Sequence, residues 1–159
     1  MKTNSLKKTT RIAGLLYLVL AVIFPFSLIY VPSTLFVFGD ATATANNIRA
    51  SELLFRAGIG SGLIANVLFV FLVLALYRLL NEVSRKQAVL MVILVVLAVS
   101  AAFGNSFNQI AALVVLSGAD FLSVFDRPQL DALAYVFLRL HSQALQAIQI
   151  FWGLWLFPF

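Results

Sequence analysis

The sequence predicts an all-α fold, a polytopic transmembrane helical bundle of about four spans with both termini in the cytoplasm. Three observations carry this. Of 159 residues, 62% are hydrophobic and 11% charged, whereas a soluble domain carries roughly a quarter charged residues. A small water-soluble fold leaves much of its surface exposed and could not hide this much apolar area. The uncharged runs also reach the ~20 residues that a helix needs to cross the hydrocarbon core. Barrel strands are about ten residues long and alternate apolar with polar, which these runs do not. The length suits a single transmembrane domain over residues 1–159, without an appended soluble domain.

The first span is expected over residues 12–38. Lys2, Lys7, Lys8 and Arg11 precede it, as they would a signal peptide, but a signal core is only about 7–15 residues, so a retained anchor is expected. Pro25 and Pro32 lie inside this run and should kink or break it, freeing backbone carbonyls. Such a bend fits an over-long segment to the bilayer; a flexible gate or a lined cavity is the sharper alternative. An outer loop, 39–52, leads to the second span, 53–80. Here Gly58 and Gly62 have the G-x-x-x-G spacing of close helix approach, which Ala57, Ser61 and Ala65 extend. An inner loop, 81–86, precedes the third span, 87–118, where Ser100 and Gly104 form a similar small patch. After a second outer loop, 119–131, comes the fourth span, 132–157. Its helix should begin early, because Asp126-Arg127-Pro128 has the order of a cap followed by a first-turn proline.

Orientation follows from the basic residues. The amino end and the loop carrying Arg78, Arg85 and Lys86 are basic, while the other side sets Arg49, Arg56 and Arg127 against Asp40, Glu52, Asp120, Asp126 and Asp131. The positive-inside rule puts both termini in the cytoplasm. Trp152 and Trp155 then fall where interfacial aromatics are found. The net charge of +5 is a topology signal and an attraction to anionic lipid, not a mark of nucleic-acid binding.

Polar residues left in the spans are the candidates for function. Asn66 lies near the middle of span two, and Asn105, Asn108 and Gln109 near the middle of span three. On span four, Arg139, Gln143 and Gln146 share a face, with Ser142 and Gln149 at its edge. An amide turned to lipid leaves donors and acceptors unpaired at a cost of several kcal/mol. These groups should therefore turn inward as a network joining spans two, three and four. That network is either structural glue or a polar site for a ligand or ion. Glu52, Arg56, Asp126, Asp131 and Arg139 are expected at the outer face, the arginines either snorkelling or paired with the acids as a charged vestibule. His141 points away from Arg139 and reads as a packing or interfacial histidine, with proton handling as the alternative.

No catalytic residue, cofactor site or metal site is visible. The chain has no cysteine and one histidine, which removes disulfides, thiolate metal sites, thiol nucleophiles and multi-histidine centres. There is no phosphate-binding loop, no H-E-x-x-H and no G-x-S-x-G, and the spans hold no acidic pair. The expectation is a protein that is not an enzyme. Its partners are membrane lipids and, through the small-residue faces of Gly58, Gly62 and Gly104, a second copy or another membrane subunit. The alternative is a small transport or ligand-binding protein that uses the amide face and the outer arginines.

Several strings together resemble one family. They are Arg11-Ile12-Ala13-Gly14-Leu15-Leu16-Tyr17, Gly39-Asp40-Ala41-Thr42-Ala43, Leu53-Leu54-Phe55-Arg56 and Leu74-Ala75-Leu76-Tyr77. Leu116-Ser117-Gly118-Ala119-Asp120 and the aromatic run Ile150-Phe151-Trp152-Gly153-Leu154-Trp155-Leu156-Phe157-Pro158 complete the set. From end to end the chain is similar to the integral membrane proteins catalogued as domain of unknown function 4386. The resemblance implies a multi-pass protein of a bacterial plasma membrane and brings no activity or substrate. It also implies a truncated chain, since members of that family continue past the fourth span into a basic turn and further spans.

Overall fold

The computed structural model describes residues 2–155, and the side chains of residues 6–155. Lys2's side chain and the end of the expected fourth span, residues 156–157, lie outside the described residues. Every long element is helical. α1 (Lys2–Pro25) runs through one wide turn, Phe26–Tyr30, into the short α2 (Val31–Leu35), and α3 (Ala41–Ala50) follows. The long helices α4 (Glu52–Leu80), α5 (Arg85–Leu116) and α6 (Arg127–Leu154) complete the chain.

The wide turn has a direct covalent cause. Neither Pro25 nor Pro32 has an N–H, so two carbonyls lose their usual helical donors one turn back. The backbone widens, and the Val31 N–H reaches the Phe26 carbonyl, five residues back. Hydroxyls add bonds to carbonyls of the same stretch: Ser27 donates to Phe24 O at 3.2 Å, and Ser33 and Thr34 both donate to Tyr30 O, at 2.9 and 2.8 Å. The predicted break is thus a bulge within a nearly continuous rod.

The connection expected as a loop over 39–52 folds instead into α3. Its start is well specified. Gly39 takes a φ of +80°, which favours glycine, and Asp40 caps the helix by accepting from Ala43 N–H at 2.8 Å. Thr44 Oγ1 accepts from Val37 N–H at 3.0 Å and donates to Asp40 O at 2.8 Å. The start of α6 is equally well defined. Asp126 and Gln129 exchange side-chain bonds to each other's backbone N–H, at 2.8 and 3.0 Å. The early beginning predicted for the last helix is present.

Residues 81–84 join α4 to α5 as an antiparallel pair. α1 packs on α4, α4 on α5, and α5 on α6, with α3 laid against α6. The core is two clusters, one at each end of this bundle. At the end near the 81–84 turn, Ala13 and Leu20 meet Phe69, Leu72, Val73, Met91, Val95, Val99 and Trp155. At the opposite end, Val31, Leu35 and Ile48 meet Phe55, Ile59, Ala112, Val115, Ala134 and Leu138.

Large apolar side chains also cover the outside. On α1 Leu15, Leu18 and Val22 are exposed, as are Phe71 on α4, Ile93 and Phe107 on α5, and Val136 and Ile150 on α6. Among the described residues, three helical stretches are long and apolar enough to cross a membrane: Leu6–Leu35, Glu52–Leu80 and Arg85–Leu116. α6 occupies the expected fourth span and is not among these three. Arg139, His141, Gln143, Gln146 and Gln149 dilute its apolar character.

Candidate functional site

Between the two clusters the packing opens. A cavity of about 470 Å³ lies where α1, α4, α5 and α6 come together, inside the range of small-molecule sites. Phe24, Ser27 and Leu28 line it from α1 and the wide turn, Gly58, Ile59, Gly62 and Asn66 from α4, and Ala102, Ser106 and Gln109 from α5. His141, Leu145, Gln149 and Trp152 line it from α6. The opening is a consequence of side-chain size: on α4 the lining steps through Gly58, Gly62 and Asn66, spaced four apart on one helical face.

Aromatic rings close one end. Phe24 of the first helix meets Trp152 of α6 edge-on, centroids 5.9 Å apart. Both contact Phe69, at 6.4 and 4.6 Å, and Trp155 meets Phe69 at 5.2 Å. Such pairs bring attraction beyond their buried area. These rings join α1 to α6, the first and last helices of the packing series.

The glycine surface is occupied within the chain. A Cβ on Gly58 would stand 2.8 Å from Val31 Cγ1, so α2 sits directly against bare backbone. A Cβ on Gly62 would stand 3.8 Å from Ser27 Cβ, an ordinary contact. Gly58 and Gly62, expected to serve close helix packing, receive α2 and the wide turn of the same chain. Gly104 has nothing within 4 Å of its would-be Cβ and makes no close approach.

The predicted amide network resolves into separate parts. Asn105 is buried, and it donates from Nδ2 to the His141 carbonyl at 3.0 Å, while His141 Nδ1 lies 3.3 Å from the Asn105 carbonyl. This reciprocal pair clasps α5 to α6. Asn108 joins it by donating to Asn105 Oδ1 at 3.0 Å. Asn66 is not part of the clasp. It is 8% exposed and donates to Gly62 O of its own helix at 3.0 Å, and its Oδ1 is buried with no hydrogen-bond partner. The Gly62 carbonyl can only accept, which fixes the amide with nitrogen on that side and leaves the oxygen unpartnered. Gln109 is half-buried at the cavity, whereas Gln143 and Gln146 are exposed on α6 and take no part in the clasp.

The outer charges likewise separate. Glu52 and Arg56 pair along α4 at 2.7 Å, both about half exposed. Asp131 is buried and pairs with Arg49 of α3. Asp126 is spent on the α6 cap. No ion pair joins Arg139 to Asp126 or Asp131; its guanidinium lies over the Phe38 ring, 5.1 Å from the centroid. The physical reason is spacing: eight residues on α6 set Arg139 about 12 Å along the axis from Asp131, too far for an ion pair, while α3 delivers Arg49 to Asp131. Among the described residues, no group of three or more His, Cys, Asp or Glu could hold a metal ion.

Sequence reasoning missed Ser27, Ser106 and Arg49; His141, read as a packing or interfacial residue with proton handling as the alternative, packs α6 on α5 and also lines the cavity. The spacing held one usable signal. Ser106 follows Ala102 by four residues on the flank of Asn105, which turns a small polar group toward the same side.

The family described as Domain of unknown function (DUF4386) matches over residues 12–159. The chain belongs to this family. No curated protein and no solved structure matches it. The DUF4386 match includes every cavity residue, from Phe24 to Trp152.

Proposed function

We infer that this DUF4386 protein is a non-catalytic, four-span protein of the bacterial plasma membrane that holds a small molecule in the cavity between its helices. The observation that carries this is the cavity of about 470 Å³ lined by Asn66, whose buried Oδ1 lacks a partner. Most buried amides are satisfied, because an unpaired buried acceptor costs about 1–3 kcal/mol; Asn81 Oδ1, after α4, also lacks a partner, and it is the place of Asn66 at the cavity wall that sets it apart. Asn105 fits that structural role; Asn66 does not. Use of Gly58 and Gly62 within the chain weighs against association through that face as the main role.

A four-span arrangement with both ends cytoplasmic is supported by the basic residues at the amino end and at Arg78, Arg85 and Lys86. Pairing of Asp131 with Arg49 lets α6 carry an acid at its first turns. The native chain has no cysteine, so single cysteines report topology cleanly. Ser84→Cys should be labelled by impermeant maleimide only after the cytoplasmic side is opened, and Ser123→Cys in intact cells; the reverse pattern would invert the orientation.

Binding is tested by native mass spectrometry of the full chain released gently from membranes. Wild type should carry a stoichiometric small molecule that Ala102→Phe, which fills the cavity, loses while staying folded. Equal bound mass in both, or none in wild type, would remove the cavity from the account. A stable dimer with an empty cavity would return the assembly role to first place.

A further inference from the structure

The cavity's hydrogen-bonding capacity is lopsided, and this constrains what it can hold. Three of its polar residues direct a donor hydrogen to a carbonyl of their own helix. Ser27 Oγ donates to Phe24 O at 3.2 Å, Asn66 Nδ2 to Gly62 O at 3.0 Å, and Ser106 Oγ to Ala102 O at 3.0 Å. A serine hydroxyl has one hydrogen, so both serines have only acceptor lone pairs left. The Asn66 Oδ1 is a buried acceptor with no partner, while the amide nitrogen keeps a second hydrogen beside the one given to Gly62 O. His141 Nδ1 faces the Asn105 carbonyl at 3.3 Å. A carbonyl only accepts, so that contact is a hydrogen bond when Nδ1 carries the hydrogen, and in the neutral ring Nε2 is then an acceptor. Four helical stretches thus each bring a residue with unspent acceptor capacity to one space.

Charge narrows the choice further. No Asp, Glu, Lys or Arg is among the lining residues. A cation brought from water into such a space would lose its hydration with no carboxylate to replace it. A carboxylate or phosphate would meet the lone pairs of Ser27 and Ser106, neutral amide N–H groups as its donors, and no cation to balance its charge. Gln109 and Gln149 carry donors and acceptors alike and discriminate neither way. The rest of the wall is apolar: Phe24, Leu28, Ile59, Leu145 and Trp152.

We propose that the cavity takes a neutral amphiphile, an apolar chain ending in a hydroxyl, whose single hydrogen is given to one acceptor of the set Ser27, Asn66, Ser106 and His141. The proposal rests on the reading of the cavity as a binding site and adds the class of ligand. The apolar wall holds the chain, and the donor supplies the partner that Asn66 lacks.

Tryptophan quenching tests it. The chain has two tryptophans, so Trp155→Phe leaves Trp152, at the cavity wall, as the sole reporter. The full-length variant in lipid nanodiscs is titrated with a bromine-terminated undecanol, its methyl ether and the corresponding trimethylammonium. All three carry the quencher on the same chain, and only the alcohol donates a hydrogen bond while remaining neutral. Saturable quenching by the alcohol at about tenfold lower concentration than by the ether or the ammonium is expected. Asn66→Leu should shrink that alcohol-to-ether ratio toward one, and Ser106→Ala should shrink it in part, which keeps the test available if the first variant fails to fold. If alcohol and ether saturate alike, the cavity binds but the donor rule is wrong. If the ammonium binds most tightly, the ligand is a cation and the proposal falls. If no compound saturates, the binding reading itself falls with it.

Discussion

The two halves of α4 face different surroundings. From Phe69 to Ala75 the buried positions are met by large side chains, Leu20, Met91, Val95 and two tryptophan rings, and Leu72 and Met91 are fully enclosed. Along the face of Gly58, Gly62 and Asn66 the helix offers little side-chain volume. Val31 fills the space at Gly58, but beyond Gly62 the neighbours do not close up, and the cavity remains. One helix thus serves as a packed strut at one end and a cavity wall at the other. Packing density in such a bundle follows side-chain size more than helix position, because helix axes held 8–10 Å apart by bulky residues at one level cannot collapse at the next.

This contrast can be broken from either side. The largest effect is expected at the end of the molecule beyond the glycine half. Arg49→Ala leaves the buried Asp131 carboxylate unpaired and should cost about 3–5 kcal/mol in reversible unfolding from detergent, with Arg49→Ala/Asp131→Leu recovering much of the loss. An Arg49→Ala variant as stable as wild type would mean that α3 is not held by this pair. In the packed half, Met91→Ala should cost about 2–5 kcal/mol by the same measurement, whereas Leu15→Ala, on the exposed side of α1, should change little.

In the glycine half the expected cost depends on distance. Gly58→Ala drives a methyl to 2.8 Å from Val31 and should destabilise by about 1–3 kcal/mol, with Val31→Ala as the rescuing second change. Gly60 has open space at its Cβ, so Gly60→Ala should be neutral or stabilising by a few tenths of a kcal/mol, about what helix propensity contributes. Asn105→Leu removes the α5–α6 clasp and should cost about 1 kcal/mol. Smallest of all, Glu52→Gln breaks an exposed pair along α4 and should shift stability by at most about 0.5 kcal/mol.

Much of the architecture was legible in one dimension. Apolar runs of crossing length, the cap at Asp126 and the two prolines each act through local chemistry. The helices, the start of α6 and the disturbance after Pro25 therefore followed from residues next to one another. The candidate site was legible only as a set of polar residues in the right helices. Asn66 and Asn105 look alike in sequence, both amides at the middle of apolar runs, yet one is satisfied by a neighbouring helix and the other keeps an open acceptor. Which outcome each meets depends on rotation about the helix axis and on what the next helix brings to the same level. Arg49 was hidden for a related reason: its place beside Asp131 depends on α3 folding back onto α6, a contact between residues 82 positions apart.

By itself, the sequence determined that the chain is helical and apolar over lengths suited to a bilayer, since helix length and side-chain transfer energies are properties of contiguous residues. It also determined where proline must disturb α1. Tertiary structure alone decided that Gly58 and Gly62 receive the chain's own α2 and wide turn, that Asp131 pairs with Arg49, and that a cavity with unspent acceptors lies between two packed clusters. Those outcomes depend on volumes and hydrogen-bonding groups from separate helices meeting at one level, and no spacing along a single helix encodes that sum.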